Sequence, residues 1–114
     1  MPTTVAGVSV LVDRIDGLDA EALRSVMDSL RERMGSGVIF LGSVVDGTVN
    51  LVASTSKDLM NRVHAGKLMQ EVAPLVGGKG GGRPDMAQGG GPNASQIDKA
   101  LARVPDLILP APTV

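Results

Sequence analysis

Apolar positions along the chain change rhythm several times, and each change predicts an element. Val5 to Val12 reads Val-Ala-Gly-Val-Ser-Val-Leu-Val, a short β-branched run between polar residues that predicts one buried strand. Leu23, Val26, Met27, Leu30 and Met34 then recur at i, i+3, i+4, predicting a helix capped by Asp19 and ended by Gly35 and Gly37. Arg24 and Asp28, four apart on that helix, are expected to form a solvated pair. Val38–Val45 and Val49–Ser54 flank Asp46-Gly47, a strong hairpin signal. Lys57 to Val76 turns helical again: Leu59 and Val63 line a first segment, Gly66 permits a bend, and Leu68, Met69, Val72 and Val76 line a second. Pro74 must kink or close it. Asn93 or Ser95 can cap a last helix with Ile97, Ala100, Leu101 and Val104 inward, stopped by Pro105.

This order of strand, helix, hairpin, helix, glycine loop, helix predicts an α/β fold. The expected architecture is a small mixed sheet of about four to five strands with one hairpin, covered by about three helices. The globular part is expected over residues 1–104. A proline-containing tail, with Pro110 and Pro112, is expected over 105–114 and to be partly disordered. The chain shows no internal repeat.

A length of 114 residues with 43% hydrophobic and 20% charged residues suits one soluble domain with a modest core. No apolar run is long enough to span a membrane, and Met1-Pro2-Thr3-Thr4 does not read as a signal peptide, so the cytoplasm is the expected compartment. With no cysteine and one histidine, His64, neither a disulfide framework nor a Cys/His zinc site can be assembled. Phe40 is the sole aromatic residue, so any nucleic acid must be held through charge and backbone rather than base stacking.

The net charge of −1 conceals an asymmetry. Residues 1–50 carry seven acids against Arg14, Arg24, Arg31 and Arg33, a balance of −3. Residues 57–83 carry Lys57, Arg62, Lys67, Lys79 and Arg83 against Asp58 and Glu71, a balance of +3. A face able to attract a polyanion follows.

Residues 77–91 read Gly-Gly-Lys-Gly-Gly-Gly-Arg-Pro-Asp-Met-Ala-Gln-Gly-Gly-Gly and hold eight of the 15 glycines, more than a core is expected to need. Composition leaves two readings: a flexible loop between helices, or bare backbone that approaches an anion, with Lys79 and Arg83 adding charge. The run is neither a P-loop nor a dinucleotide fingerprint, which disfavours nucleoside-triphosphate hydrolysis. Pro84 forces Arg83 extended, predicting a fixed strand over Arg83–Gln88 between two glycine hinges.

The segment Gly77–Gly91 resembles the signature near the carboxy terminus of alanyl-tRNA synthetases, as do Lys57-Asp58-Leu59 and Ala65-Gly66; the resemblance covers residues 5–104. It implies a DHH-associated domain, shared with DHH-family phosphoesterases, which in the synthetases engages the tRNA elbow and helps couple aminoacylation to editing. In the phosphoesterase branch the glycine run ends in His; Arg83 stands there in this chain. The implied partners are tRNA for alanine and the catalytic and editing domains of a longer chain. That parent would be an alanine-tRNA ligase using ATP, with zinc in its editing domain, whereas no catalytic residue or cofactor is expected in this domain. The alternatives are a nucleotide-binding accessory domain of a DHH-type phosphoesterase and an interdomain protein-interaction module.

Lys79, Gly80, Gly81, Gly82, Arg83 and Gln88 are the leading RNA-contact candidates, with Lys57, Arg62 and Lys67 behind them as helix cations. Asp85 is expected to cap a turn or hold Arg83. Ser56, after Ser54 and Thr55, is expected to cap the following helix, His64 to lie at the surface or in helix packing, and Met60, Met69 and Met86 to fill packing gaps.

Overall fold

The first apolar run folds back on itself. A computed structural model, which describes residues 2–108, divides it into β1 (Thr3–Val5) and β2 (Val8–Arg14), paired antiparallel. Ala6 and Gly7 between them have φ of 50° and 80°, the left-handed pair that a two-residue hairpin turn requires. The single strand expected over Val5–Val12 is therefore two, with the turn hidden inside an apolar sequence.

Helix α1 (Ala20–Met34) starts and stops where its caps predict. Asp19 Oδ1 accepts the Ala22 N–H at 2.8 Å, and the Gly35 N–H closes onto the Arg31 carbonyl at 3.0 Å. The Arg24–Asp28 pair does not form. Arg24 is half-buried, and Asp28 lies 3.9 Å from Arg31 instead; a cation placed N-terminal to its acid at i, i+4 is also the weaker orientation.

α1 carries the chain back to β3 (Val38–Val45), parallel to β2 with Val10 opposite Val38. β4 (Thr48–Thr55) returns antiparallel through Asp46 and Gly47, whose φ of 51° and 75° make the expected hairpin turn.

The helix expected over Lys57–Val76 is three pieces: a 3-10 turn at Lys57–Leu59, α2 (Ala65–Val72) and a second 3-10 turn at Ala73–Val76. The break falls at Met60–His64 rather than Gly66, because His64 caps a new helix with Nδ1 accepting the Lys67 N–H at 3.1 Å. Pro74 lies in the first positions of the second turn, where its missing N–H has no partner within that turn to lose, so it closes α2 without kinking it.

Glycines themselves form β5 (Lys79–Gly82) and β6 (Met86–Gly91), an antiparallel hairpin joined at 83–85. The expected strand between glycine hinges is thus inverted: Arg83 and Pro84 lie in the turn. The last helix, α3 (Ile97–Leu107), runs through Pro105 for another half turn, and Ile108 is buried. Asp106 and Leu107 therefore belong to the helix and not to a tail; the remainder of the expected tail, residues 109–114, lies outside the described residues.

The six strands lie in the order β1-β2-β3-β4-β6-β5, more strands and more hairpins than the pattern predicted. Alternation along the strands sorts side chains to two layers. Val8, Val10, Val38, Phe40, Leu51 and Ala53 face α2 and α3, against Met69, Val72, Ile97 and Val104. Ile39, Leu41, Val52 and Met86 face α1, against Leu23 and Met27.

The glycine hairpin is built into the first of these layers. A Cβ on Gly80 would lie 2.5 Å from Met69 Cγ, one on Gly89 2.8 Å from Met69 Sδ, and one on Gly78 1.6 Å from the Gly90 carbonyl oxygen. Gly66 of α2 lies equally close to β5, since its Cβ would stand 2.3 Å from the Gly82 oxygen. The core does need these glycines: they let α2 sink onto the two outer strands.

Candidate nucleic-acid interface

Strand alternation decides what the hairpin presents. Gly80 turns toward α2, against Met69, while alternation puts Lys79 and Gly81, with Gln88 opposite Gly81, on the other face, where Gln70 of α2 still comes to 3.5 Å from the place of a Gly81 Cβ. On that side α1 packs across β3 and β4, and β6 and β5 extend beyond it. Lys79 and Gln88 are exposed there, with Gly81 and Gly90 half-buried between them. The result is a low, nearly side-chain-free patch with a cation at one end.

Arg83 stands at the other end, 72% exposed, with its Nε 3.5 Å from Asp85 Oδ1. Asp85 thus takes its expected position holding Arg83, and its carbonyl accepts the Thr55 N–H at 3.0 Å, tying the turn to β4. Four residues of extended chain separate Lys79 from Arg83, roughly 13 Å. That spacing is too wide for one phosphate and suits two along a backbone.

The concave nest of free glycine N–H groups, one of the two sequence readings, is not what the hairpin forms. Lys79 and Gly81 are ladder residues paired with Gly90 and Gln88. The N-terminus of α2 is not an open anion site either: Ala65 and Gly66 donate to the Pro84 and Arg83 carbonyls at 2.9 and 3.0 Å, and His64 takes the Lys67 N–H.

The remaining candidates line two hollows rather than the hairpin patch itself. Arg62 and Lys67 line a hollow of about 500 Å³ with His64, Glu71 and Leu107. Arg62 Nη2 donates to the Ala6 carbonyl at 2.8 Å, which gives it a structural duty at the β1–β2 turn. Lys57 lines a groove of about 800 Å³ beside α1, together with Arg31, Asp28, Glu32 and Asp58. Ser36 Oγ donates to Asp58 Oδ2 at 2.6 Å, and that bond, with one from Ser56, holds the Asp58 carboxyl below its ordinary range. Ser56 does not cap a helix as expected; its Oγ accepts the Gly37 N–H at 2.9 Å, bridging to the start of β3. Met69 and Met86 are buried in the core, and Met60 is half-buried.

Topology adds two cations that the charge tally placed in an acidic region. β2 and β3 run parallel, so α1 must end at the sheet end where β3 and β6 begin and β4 and β5 finish. Arg31 and Arg33, in its last turn, therefore share that end with Lys57, Lys67 and Arg83. The opposite end carries Asp13, Asp16, Asp19, Glu21 and Asp46. Arg14 there bonds Asp16 at 2.9 Å and Asp98 at 3.0 Å; the Arg14 bond holds the Asp16 carboxyl below its ordinary range. Among the described residues no group of three His, Cys, Asp or Glu side chains is placed to hold a metal ion, and no helix is long and apolar enough to cross a membrane.

A mixed six-stranded sheet whose glycine hairpin is sealed under a short helix defines the class: the DHHA1 domain model matches residues 7–109, and the chain belongs to that family. Within it, the chain is 54% identical over 98 residues to the alanine–tRNA ligases of Pseudomonas syringae pv. tomato and Pseudomonas savastanoi pv. phaseolicola. The match takes in 86% of this chain and 11% of each relative, so the chain spans about a tenth of their length. The crystal structure of the C-Ala domain from Aquifex aeolicus alanyl-tRNA synthetase is similar with a TM-score of 0.87, covering 95% of this chain and 97% of that one at 29% identity.

Proposed function

We propose that this domain is the tRNA-binding part of an alanine-tRNA ligase, engaging the elbow of the folded tRNA and helping deliver it to catalytic and editing domains of the parent chain in the cytoplasm. The observation that carries the reading is the hairpin patch: Lys79, Gln88 and Arg83 exposed around glycines that leave the surface low. The similarity to the C-Ala domain and to alanine–tRNA ligases supports it. Lys79 and Arg83 supply phosphate contacts, Gln88 reaches ribose or a base edge, and Gly81 keeps the floor between them flat. Lys57, Arg62 and Lys67 contribute long-range attraction rather than direct contact. The domain itself performs no chemistry, and the ligase activity belongs to the rest of the parent. Filter binding of tRNA against an unstructured RNA of equal length tests this. Tighter binding of tRNA is expected; equal affinity contradicts elbow recognition, and absence of binding to either RNA contradicts the whole reading.

A further inference from the structure

The hollow beside the start of α2 carries polar groups that the tRNA-binding reading leaves idle. Its volume of about 500 Å³ falls within the roughly 300–1,000 Å³ of small-molecule sites. Val63 and Leu68 are its buried apolar lining, and half-buried Met60 and Leu107 bring further apolar surface to it. His64 stands among them. Its Nδ1 accepts the Lys67 N–H at 3.1 Å, so the neutral ring carries its hydrogen on Nε2, a donor with no partner among the described residues. Lys67 and Glu71, four apart on α2, also line the hollow, and among the described residues neither side chain has a hydrogen-bond or ion-pair partner. A cation placed one turn before its acid pairs poorly within a helix. Arg62, tied to the Ala6 carbonyl at 2.8 Å, adds its charge to the same rim.

These groups select against several ligands. Among the described residues no three His, Cys, Asp or Glu side chains are placed to hold a metal ion. A nucleic-acid phosphate gains nothing from Met60 and Leu107 and is repelled by Glu71, and the lining has no aromatic ring on which a base could stack. The complement is a molecule that carries an anion and a cation close together on an apolar body. Lys67 and Glu71 start roughly 5–6 Å apart at their Cβ atoms, so their two arms can reach charges separated by a single carbon. A polypeptide segment does not offer that pair, because its terminal charges lie at opposite ends.

We propose that this hollow binds a free α-amino acid with a large apolar side chain. Lys67 and the Nε2–H of His64 hold its carboxylate, Glu71 holds its ammonium, and Met60 and Leu107, backed by Val63 and Leu68, cover its side chain. The cap on α2 thereby acquires a second duty, since the bond from the Lys67 N–H fixes which His64 nitrogen donates. Lys67 and Glu71 are exposed, so water screens both ion pairs and the affinity is modest, on the order of millimolar. The inference goes beyond the tRNA-binding reading and does not depend on it, for it uses none of the hairpin's residues.

Titration of L-leucine into the ¹⁵N-labelled domain, followed by amide chemical shifts, tests it. Saturable shifts confined to residues 60–71 and Leu107 are expected. Three fragments of the ligand serve as controls: isocaproate lacks the ammonium, isoamylamine lacks the carboxylate and glycine lacks the apolar body. Each should bind about tenfold more weakly than leucine. Lys67→Gln should weaken leucine by about tenfold and leave isoamylamine unchanged, whereas Glu71→Gln should weaken leucine and leave isocaproate unchanged. Both side chains are exposed, so neither substitution should alter the far-UV spectrum. Leucine binding no more tightly than any one of the fragments overturns amino-acid recognition. Shifts that never saturate, or leucine affinity unmoved in both variants, overturn the site itself. Neither result touches tRNA binding, which is measured separately.

Discussion

Placing a methyl group on two adjacent glycines separates packing from conformational freedom in the hairpin. At Gly80 the new Cβ would stand 2.5 Å from Met69 Cγ, 2.8 Å from Gly89 Cα and 2.9 Å from the Gln88 oxygen. Two of these three obstacles are backbone of the neighbouring strand and cannot rotate away. Overpacking of this kind costs about 1–3 kcal/mol, and the backbone obstacles put Gly80→Ala near the upper end. For a domain of this size that lowers Tm by roughly 10–20 °C. At Gly81 the nearest atoms are Gln70 Nε2 at 3.5 Å and Cγ at 3.7 Å, ordinary contact with a flexible side chain. Gly81→Ala should be neutral or stabilising by up to about 1 kcal/mol, because alanine restricts the unfolded chain. Thermal and urea unfolding followed by far-UV circular dichroism measures both, the chain having neither Trp nor Tyr. Equal losses at the two positions would refute the argument that α2 packing dictates the glycines.

Other consequences follow from the caps and carboxylates. His64→Ala removes the acceptor for the Lys67 N–H and should cost about 0.5–2 kcal/mol in urea unfolding, with His64→Asn recovering most of it; no loss in His64→Ala means the cap is unimportant. Asp16, bonded by Arg14, and Asp58, bonded by Ser36, both have folded pKa values below the ordinary one. Their stabilisation is therefore present above the unfolded carboxylate pKa, about 3.9, and is lost as pH falls through the folded values. Stability should decline on the acid side, and Asp16→Asn with Asp58→Asn should flatten that decline; an unchanged acid limb contradicts it.

Much of the fold was legible because its signals are local. Asp19, Gly35 and the Asp46-Gly47 turn each act through their own backbone geometry, so α1 and the β3–β4 hairpin fall where the pattern puts them. Ala6-Gly7 escaped because alanine rarely takes positive φ and the run around it is apolar. The glycine strands escaped for a different reason. Glycine has low strand propensity, and what makes Gly80 and Gly89 β residues is Met69, which lies in another element. The candidate site was half legible: Lys79, Arg83 and the Asp85 restraint could be read from the motif. The arrival of Arg31 beside Lys57, and the meeting of Arg62 and Lys67 in one hollow, depend on chain topology that no spacing encodes.

The salt dependence of tRNA binding tests the central claim most directly. Log affinity is measured against log salt concentration for the wild type and for Lys79→Ala/Arg83→Ala. Each phosphate contact contributes about 0.7–0.9 to the slope, so the double variant should bind more weakly at low salt with a slope shallower by about 1.5. Its far-UV spectrum should be unchanged, since both side chains are exposed. A double variant that matches the wild type in affinity and slope would show that the glycine hairpin is not where this domain meets the phosphate backbone.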